Sequence, residues 1–319
     1  MRIVFATKVA RAPVLKALQA LPGVDLETCD DLSAVAPLAL DADALVISDP
    51  RGADGKAIAA ALRDPECRVR WVQILTAGIE GLMAHGVPEH VVVTNQGGAV
   101  APAVAEHGMM MLLAMARRTG DIIARSSRHE WSKDFSPPVM SLEGKVLAIV
   151  GFGNIGLQLA RRAAGFDMEI IGVSRSLTSS PLAAEMHPMS ALHQVLGRAD
   201  AVALCVASSP ATRHLMNQAA FKAIRKGALF INLTRGETVD QAALRNALVS
   251  GQLGGAFIDV TEPEPLPADD PLWDTPNLLI SPHTAGAGSN RTGLRIAQVV
   301  SDNFARFSAG EALLHRAKK

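Results

Sequence analysis

The sequence predicts an α/β chain with two parallel sheets, each covered by helices on both faces. Three observations predict it. Short, continuous apolar runs alternate with helical patterns along almost all of the 319 residues. These runs lack the in–out alternation of a strand with one wet face, so both faces must be buried. One long helical stretch then splits the series into two, and a chain of this length exceeds what a single core usually holds.

The first series reads as strands at RIVFA (Arg2 to Ala6), DALVIS (Asp43 to Ser48), RWVQIL (Arg70 to Leu75) and VVVT (Val91 to Thr94). Helical patterns follow the first two, near Ala10 to Ala20 and Gly55 to Arg63. The long stretch runs from about Val100 to Arg118 and contains EHGMMMLLAMARR. Its apolar residues, Met109 to Leu113 above all, exceed one face. Burial between domains and a subunit interface both fit, since methionines suit an adaptable contact. The second series supplies KVLAIV, MEIIGV, AVALCV, ALFINL, GGAFIDV and NLLISP as strands. The stretch Thr261 to Pro271, rich in Pro, Glu and Asp, is expected to hold no regular structure. A last helix, roughly Gly288 to Phe307, is expected to return to the first domain.

Hydrophobic residues make up 49% and charged residues 19%, ample for two cores. Lys+Arg and Asp+Glu are both 31, so no basic footprint points to nucleic acid or an anionic membrane. Cys29, Cys67 and Cys205 are scattered and odd in number, against a disulfide framework or a zinc site, and no metal is expected. A reducing, cytoplasmic compartment fits that usage. The apolar run after Met1 is too short for a signal-peptide core, and no run of about 18 apolar residues suggests a membrane span.

GFGNIG (Gly151, Phe152, Gly153, Asn154, Ile155, Gly156) follows the apolar strand KVLAIV and opens the helical pattern IGLQLARRAAG. In that setting Gly151 permits a tight turn, Gly153 lets a pyrophosphate approach the backbone, and Gly156 lets helix and strand pack closely. The loop therefore predicts a Rossmann-like dinucleotide site. An acid normally follows the next strand to bind the adenosine ribose of NAD. Here MEIIGV is followed by Ser174, Arg175 and Ser176, while Asp167 and Glu169 lie at the strand's other end. An arginine flanked by serines suits the 2′-phosphate of NADP, so NADP is favoured and NAD is the alternative.

INLTRGETVD, GGAFIDVTEPEPLP and LLISPHTAG bring Arg235, then Asp259 and Glu264, then His283, to the C-terminal ends of three strands. In an open α/β sheet that is the ligand edge. An arginine, a carboxylate and a histidine there suit reduction of a 2-oxo acid: a guanidinium for the substrate carboxylate, an imidazole for the proton.

These stretches, with LTAGIEGL (Leu75 to Leu82) and NQGGAVAPAVAEHG (Asn95 to Gly108), resemble the D-isomer-specific 2-hydroxyacid dehydrogenase family over nearly the whole chain. The resemblance implies that Arg235 binds the substrate carboxylate and carbonyl. His283 would be the general acid in reduction, paired with Glu264. Asp259 would orient the nicotinamide amide, with Thr234 also on the cofactor side. Main-chain N–H groups of Ala77, Gly78 and Ile79 would hold the substrate carboxylate. It further implies a substrate domain of flavodoxin-like kind from residues 1–98 and 287–319, a dinucleotide domain from 99–286 inserted in it, and a homodimer. Two departures stand out: the missing ribose acid, as in NADP-preferring members, and Ala207 where the family often has proline.

Glu264 argues against formate dehydrogenase relatives, which pair the histidine with glutamine, and the lysine of phosphite-oxidising relatives near Ala77 is missing. The chain ends too soon for the regulatory domain of many phosphoglycerate dehydrogenases. A glyoxylate/hydroxypyruvate reductase-like enzyme leads. The alternatives are a short phosphoglycerate dehydrogenase-like enzyme and a dinucleotide-sensing corepressor-like protein. Arg51, in SDPRG, is a candidate reader of a distal anionic group on the substrate.

Overall fold

The computed structural model describes residues 1–176 and 178–317. Leu177, in the serine-rich stretch, and Lys318 and Lys319, at the end of the expected substrate-domain span, lie outside the described residues. The chain forms two compact units, one from Met1–Val100 with the described residues from Gly288 onward, the other from Ala101–Ala287.

The first unit holds β1 (Arg2–Ala6), β2 (Asp25–Cys29), β3 (Ala44–Ile47), β4 (Trp71–Ile74) and β5 (Val92–Thr94). Its helices are α1 (Arg11–Gln19), α2 (Val35–Ala39), α3 (Gly52–Leu62) and α4 (Glu80–Met83), before the chain leaves for the second unit. The strands pair in parallel in the order β2-β1-β3-β4-β5, the flavodoxin-like order. Strands β3 and β4 are buried throughout, with apolar side chains on both faces apart from Gln73 of β4. Strand β2, DLETC, has no apolar run and was not anticipated. It pairs only with β1, and four of its five residues stay at least partly exposed.

The second unit holds β6 (Val146–Val150), β7 (Glu169–Val173), β8 (Glu185–His187), β9 (Ala201–Leu204), β10 (Ala228–Asn232), β11 (Leu253–Ile258) and β12 (Leu278–Ile280). These also pair in parallel, in the order β12-β11-β10-β9-β6-β7-β8. The helices are α5 (Ala101–Ala116), α6 (Thr119–Ser127), α7 (Asn154–Ala164), α8 (Leu192–Leu196), α9 (Gln218–Ala223) and α10 (Gln241–Val249). Alternate strand residues such as Val150, Val173, Leu204, Phe230 and Ile258 join α8, α9 and α10 in one core. The methionine-rich helix α5 packs on α7, β10 and β11. Met109, Leu112 and Met115 are buried, whereas Met110 is exposed. The helix stops two residues short of the expected Arg118, which turns left-handed (φ 54°), and α6 follows. As expected, nothing between Thr261 and Pro271 is helix or strand.

The last helix, α11 (Asn290–Ser308), returns to the first unit and packs on α1. Its Ile296, Val300 and Phe304 share a core with Ile3, Phe5 and Trp71. A buried amide fixes its register: Asn303 Nδ2 donates to Gln73 Oε1 (2.9 Å), and Leu314 N–H donates to Asn303 Oδ1 (2.7 Å). The three cysteines are buried free thiols, and burial pushes that of Cys205 up to about 12. Among the described residues, no helix is long and apolar enough to cross a membrane.

Candidate active site

Strand order reverses at β6, which lies between β9 and β7, and this opens a crevice at the strand C-termini. The glycine loop sits there. Gly151 has φ 97°, and a Cβ on it would lie 2.5 Å from the carbonyl carbon of Cys205, just past β9. A Cβ on Gly156 would collide with the Gly151 carbonyl oxygen. Packing within the protein thus requires both glycines. Gly153 differs: it is exposed, it precedes α7, and a Cβ there would meet nothing within 4 Å. Open space above a helix N-terminus fits a phosphate group that approaches the backbone. Asn154 is exposed and Ile155 half-buried beside it. The Phe152 ring is buried over Gly172 of β7, which leaves its main chain to line the loop.

Strand β7 ends at Val173. Ser174 N–H donates to the His187 carbonyl (2.9 Å), and Ser176 N–H donates to Ser174 Oγ (3.3 Å). The exposed Arg175 guanidinium has no partner among the described residues. Arg198 is differently engaged. It grips Glu185 with two bonds (2.6 and 2.7 Å), and His187 adds a third at 2.8 Å. Those bonds, from Arg198 first, hold the Glu185 carboxyl down at about 2. Among the described residues, Arg175 is therefore a cation left open at the end of β7.

Strands β10, β11 and β12 are neighbours, and each delivers one part of the second constellation. At the end of β10, fully buried Asn232 donates from Nδ2 to the Arg235 carbonyl (2.9 Å) and accepts from Thr234 N–H (3.1 Å). The Thr234 hydroxyl donates to the same Asn232 oxygen (3.2 Å), and Thr238 Oγ1 donates to the Arg235 carbonyl (2.6 Å). The main chain that carries Arg235 is thus fixed from both sides.

After β11 comes Asp259, only 2% exposed. Expected to orient a nicotinamide amide, it here directs both oxygens at the loop after β12. Ser281 Oγ and Thr284 N–H (2.9 Å) donate to Oδ1, and Ala285 N–H (3.0 Å) donates to Oδ2. His283 N–H donates to the Asp259 carbonyl (2.8 Å), and His283 adopts φ 53°. A left-handed residue other than glycine is strained by about 1–2 kcal/mol and persists only where its surroundings hold it.

The His283 ring meets Glu264. Nδ1 lies 2.9 Å from Glu264 Oε2, while Oε1 accepts from Thr261 N–H (3.1 Å). An ionised carboxylate can only accept, so Nδ1 carries the proton and Nε2 is left for chemistry. In the first unit, Asp49 caps α4 by accepting from Gly81 N–H (2.8 Å) and Leu82 N–H (3.0 Å). Thr76 Oγ1 donates to the Gly78 carbonyl (2.9 Å). Exposed Arg51 follows β3, the neighbour of β4 whose end leads to Ala77, Gly78 and Ile79, and Arg51 Cγ is only 2.8 Å from where a Gly81 Cβ would be.

The structure thus gathers Arg235, Asp259, Glu264 and His283 on one sheet edge, and Arg51 with residues 77–79 on another. Sequence reading missed the residues that support them, namely Asn232, Thr238 and Ser281. Only Asn232 carried a signal, as a polar side chain at the end of an apolar strand. No cluster of His, Cys, Asp and Glu among the described residues could hold a metal.

The glycines yield a paired prediction. Ala at position 156 gains about 1 kcal/mol of helix propensity, but its collision with rigid backbone costs about 1–3 kcal/mol. Gly156→Ala should therefore lower the urea midpoint. Gly153→Val should leave it unchanged and weaken dinucleotide binding by about tenfold or more. Equal binding by Gly153→Val and wild type would deny the loop its phosphate.

A family model described as the D-isomer specific 2-hydroxyacid dehydrogenase NAD binding domain matches residues 109–285. The chain is 33% identical over 280 residues to a glyoxylate reductase of Korarchaeum cryptofilum, covering 85% of this chain and 81% of that protein. A D-isomer specific 2-hydroxyacid dehydrogenase family protein from Aeromonas salmonicida has a similar structure, with TM-score 0.87 and 28% identity over 99% of this chain and 98% of that one. An NADPH-dependent glyoxylate/hydroxypyruvate reductase from Sinorhizobium meliloti, solved with NADP and sulfate, gives TM-score 0.82 and 26% identity over 99% and 98%. With a match to the family's dinucleotide domain over more than half of the chain and a relative aligned over most of both chains, the chain belongs to the D-isomer specific 2-hydroxyacid dehydrogenase family.

Proposed function

We propose that this protein reduces a small 2-oxo acid to a D-2-hydroxy acid, with NADPH preferred over NADH and glyoxylate and hydroxypyruvate as the leading substrates. One observation carries the reading: Glu264 holds His283 by Nδ1 at 2.9 Å and leaves Nε2 as the donor. The names of relatives, glyoxylate reductase among them, support the substrate class.

A nicotinamide dinucleotide held by the glycine loop would supply the hydride. Arg235 holds the substrate carboxylate through its planar fork and polarises the carbonyl. His283 Nε2 delivers a proton to the carbonyl oxygen, and the Glu264 carboxylate stabilises the imidazolium before transfer. Asp259 acts through the main chain of the His283 loop. The open Gly153 and the N-terminus of α7 accommodate the pyrophosphate. Arg175, with Ser174 and Ser176, meets the 2′-phosphate. Main-chain N–H groups of Ala77, Gly78 and Ile79 bind the substrate carboxylate. Arg51 beside them favours a second reading, in which the substrate carries a distal phosphate or carboxylate.

His283→Ala should lower turnover about 10²–10⁴-fold while NADPH still binds, and undiminished turnover would remove His283 from the mechanism. Arg175→Ala should raise the KM for NADPH about tenfold or more and leave that for NADH nearly unchanged, since a charge-assisted pair to phosphate exceeds one decade of affinity. Equal effects on the two would place the phosphate elsewhere.

A homodimer is part of the same proposal. Ile122, Ile123 and Trp131 are exposed on α6 and just after it, apolar surface suited to a second copy. Light scattering should give twice the chain mass, and a monomer at micromolar concentration would contradict it.

A further inference from the structure

Glu264 must stay on His283 Nδ1, yet it belongs to a segment with no regular structure. Glu262, Pro263, Glu264 and Pro265 are all exposed. Bonds inside the segment do not anchor it. Thr261 Oγ1 donates to the Pro263 carbonyl (2.8 Å) and Thr261 N–H to Glu264 Oε1 (3.1 Å), which tie the acid to its own turn.

The anchor comes from α10. Gln241 is its first residue, and both arms of the Gln241 amide grip the Glu262 main chain. Glu262 N–H donates to Gln241 Oε1 (2.8 Å), and Gln241 Nε2 donates to the Glu262 carbonyl (2.9 Å). The side chain thereby reproduces the paired bonds of a neighbouring strand. The start of α10 is itself fixed, since Asp240 accepts from Ala243 N–H (3.0 Å) and its own N–H donates to the Met216 carbonyl (3.0 Å). Gly236 lets the Arg235 segment lie against the same peptide, for a Cβ there would overlap the Thr261 carbonyl.

A second contact reaches the Glu262 side chain. Arg213 Nη1 donates to Glu262 Oε1 (2.9 Å) and lies 3.7 Å from Glu237 Oε2. The pair is about half exposed on the arginine side (50%) and 41% on the glutamate side. Exposed pairs contribute little, so the amide clamp should dominate.

We infer that Gln241 is a positioning residue for the acid–base pair: it fixes the Glu262 main chain so that Glu264 remains on His283 Nδ1. The inference rests on the proposed role of His283 and Glu264. Among the described residues Gln241 hydrogen-bonds neither Glu264 nor His283, and it acts through the Glu262 turn that carries Glu264.

The test compares full-length wild type, Gln241→Ala, Glu264→Gln, the double variant and His283→Ala in steady-state reduction of glyoxylate or hydroxypyruvate by NADPH. Gln241→Ala should lower kcat about 10–100-fold, as a catalytic group displaced by about 1 Å does, with the KM for NADPH unchanged. Added to Glu264→Gln, it should cost nothing more, because the group it positions is already disabled. The same fold loss in both backgrounds, or a wild-type kcat for Gln241→Ala, would overturn the clamp. Gln241→Glu is isosteric but sets an oxygen against the Glu262 carbonyl, and a wild-type kcat there would contradict the clamp equally. If His283→Ala and Glu264→Gln keep full turnover, the acid–base reading itself falls and the clamp with it. If they lose turnover and Gln241→Ala does not, only the clamp falls.

Discussion

Much of the proposed chemistry depends on the buried carboxylate of Asp259, which ties the end of β11 to the loop after β12. Burying a charge is costly unless its lone pairs are met. Here a hydroxyl and two main-chain N–H groups, from Ser281, Thr284 and Ala285, meet them. Hydrogen bonds to a charged group contribute about 1.5–3 kcal/mol each. Together they outweigh the roughly 1–2 kcal/mol of strain in one left-handed residue. The loop can therefore hold His283 at φ 53°, and from that main chain the ring reaches Glu264. His107 extends the arrangement, with Nε2 3.4 Å from Ser281 Oγ and its ring against Phe257.

Parallel pairing makes such a site possible. Strands β10, β11 and β12 run side by side, so their C-terminal ends fall on one edge and the residues just beyond them meet. None of Arg235, Asp259 and His283 is near another in sequence. The same rule puts the glycine loop at the reversal of strand order, where the turn after β6 touches the backbone past β9. The sheet supplies position, and the loops supply chemical identity.

What was legible in the sequence follows from that division. Apolar strands such as RIVFA and KVLAIV announce themselves because both faces are buried. The β10, β11 and β12 motifs were legible because each follows such a run directly. The edge strands β2 and β8 were not, since DLETC and EMH bury too little to show a pattern. The break after α5 was also hidden, because only the left-handed turn at Arg118 separates it from α6. The Gln241 clamp was illegible for another reason. A polar residue at a helix start reads as solvated, and its partner is a main-chain peptide 21 residues away. Asp259 was recognised as important, but its bonds to the His283 loop depend on strand adjacency that no local pattern records.

The most direct measurement is the initial rate of reduction with NADPH and with NADH across glyoxylate, hydroxypyruvate, pyruvate and a phenyl-substituted 2-oxo acid. The account predicts saturable turnover of one or more small acids, faster at low cofactor with NADPH. A preference for NADH would contradict the Arg175 phosphate site while leaving the acid–base pair intact. Tight dinucleotide binding with no turnover of any acid would contradict the central claim that His283 and Glu264 serve a reductase.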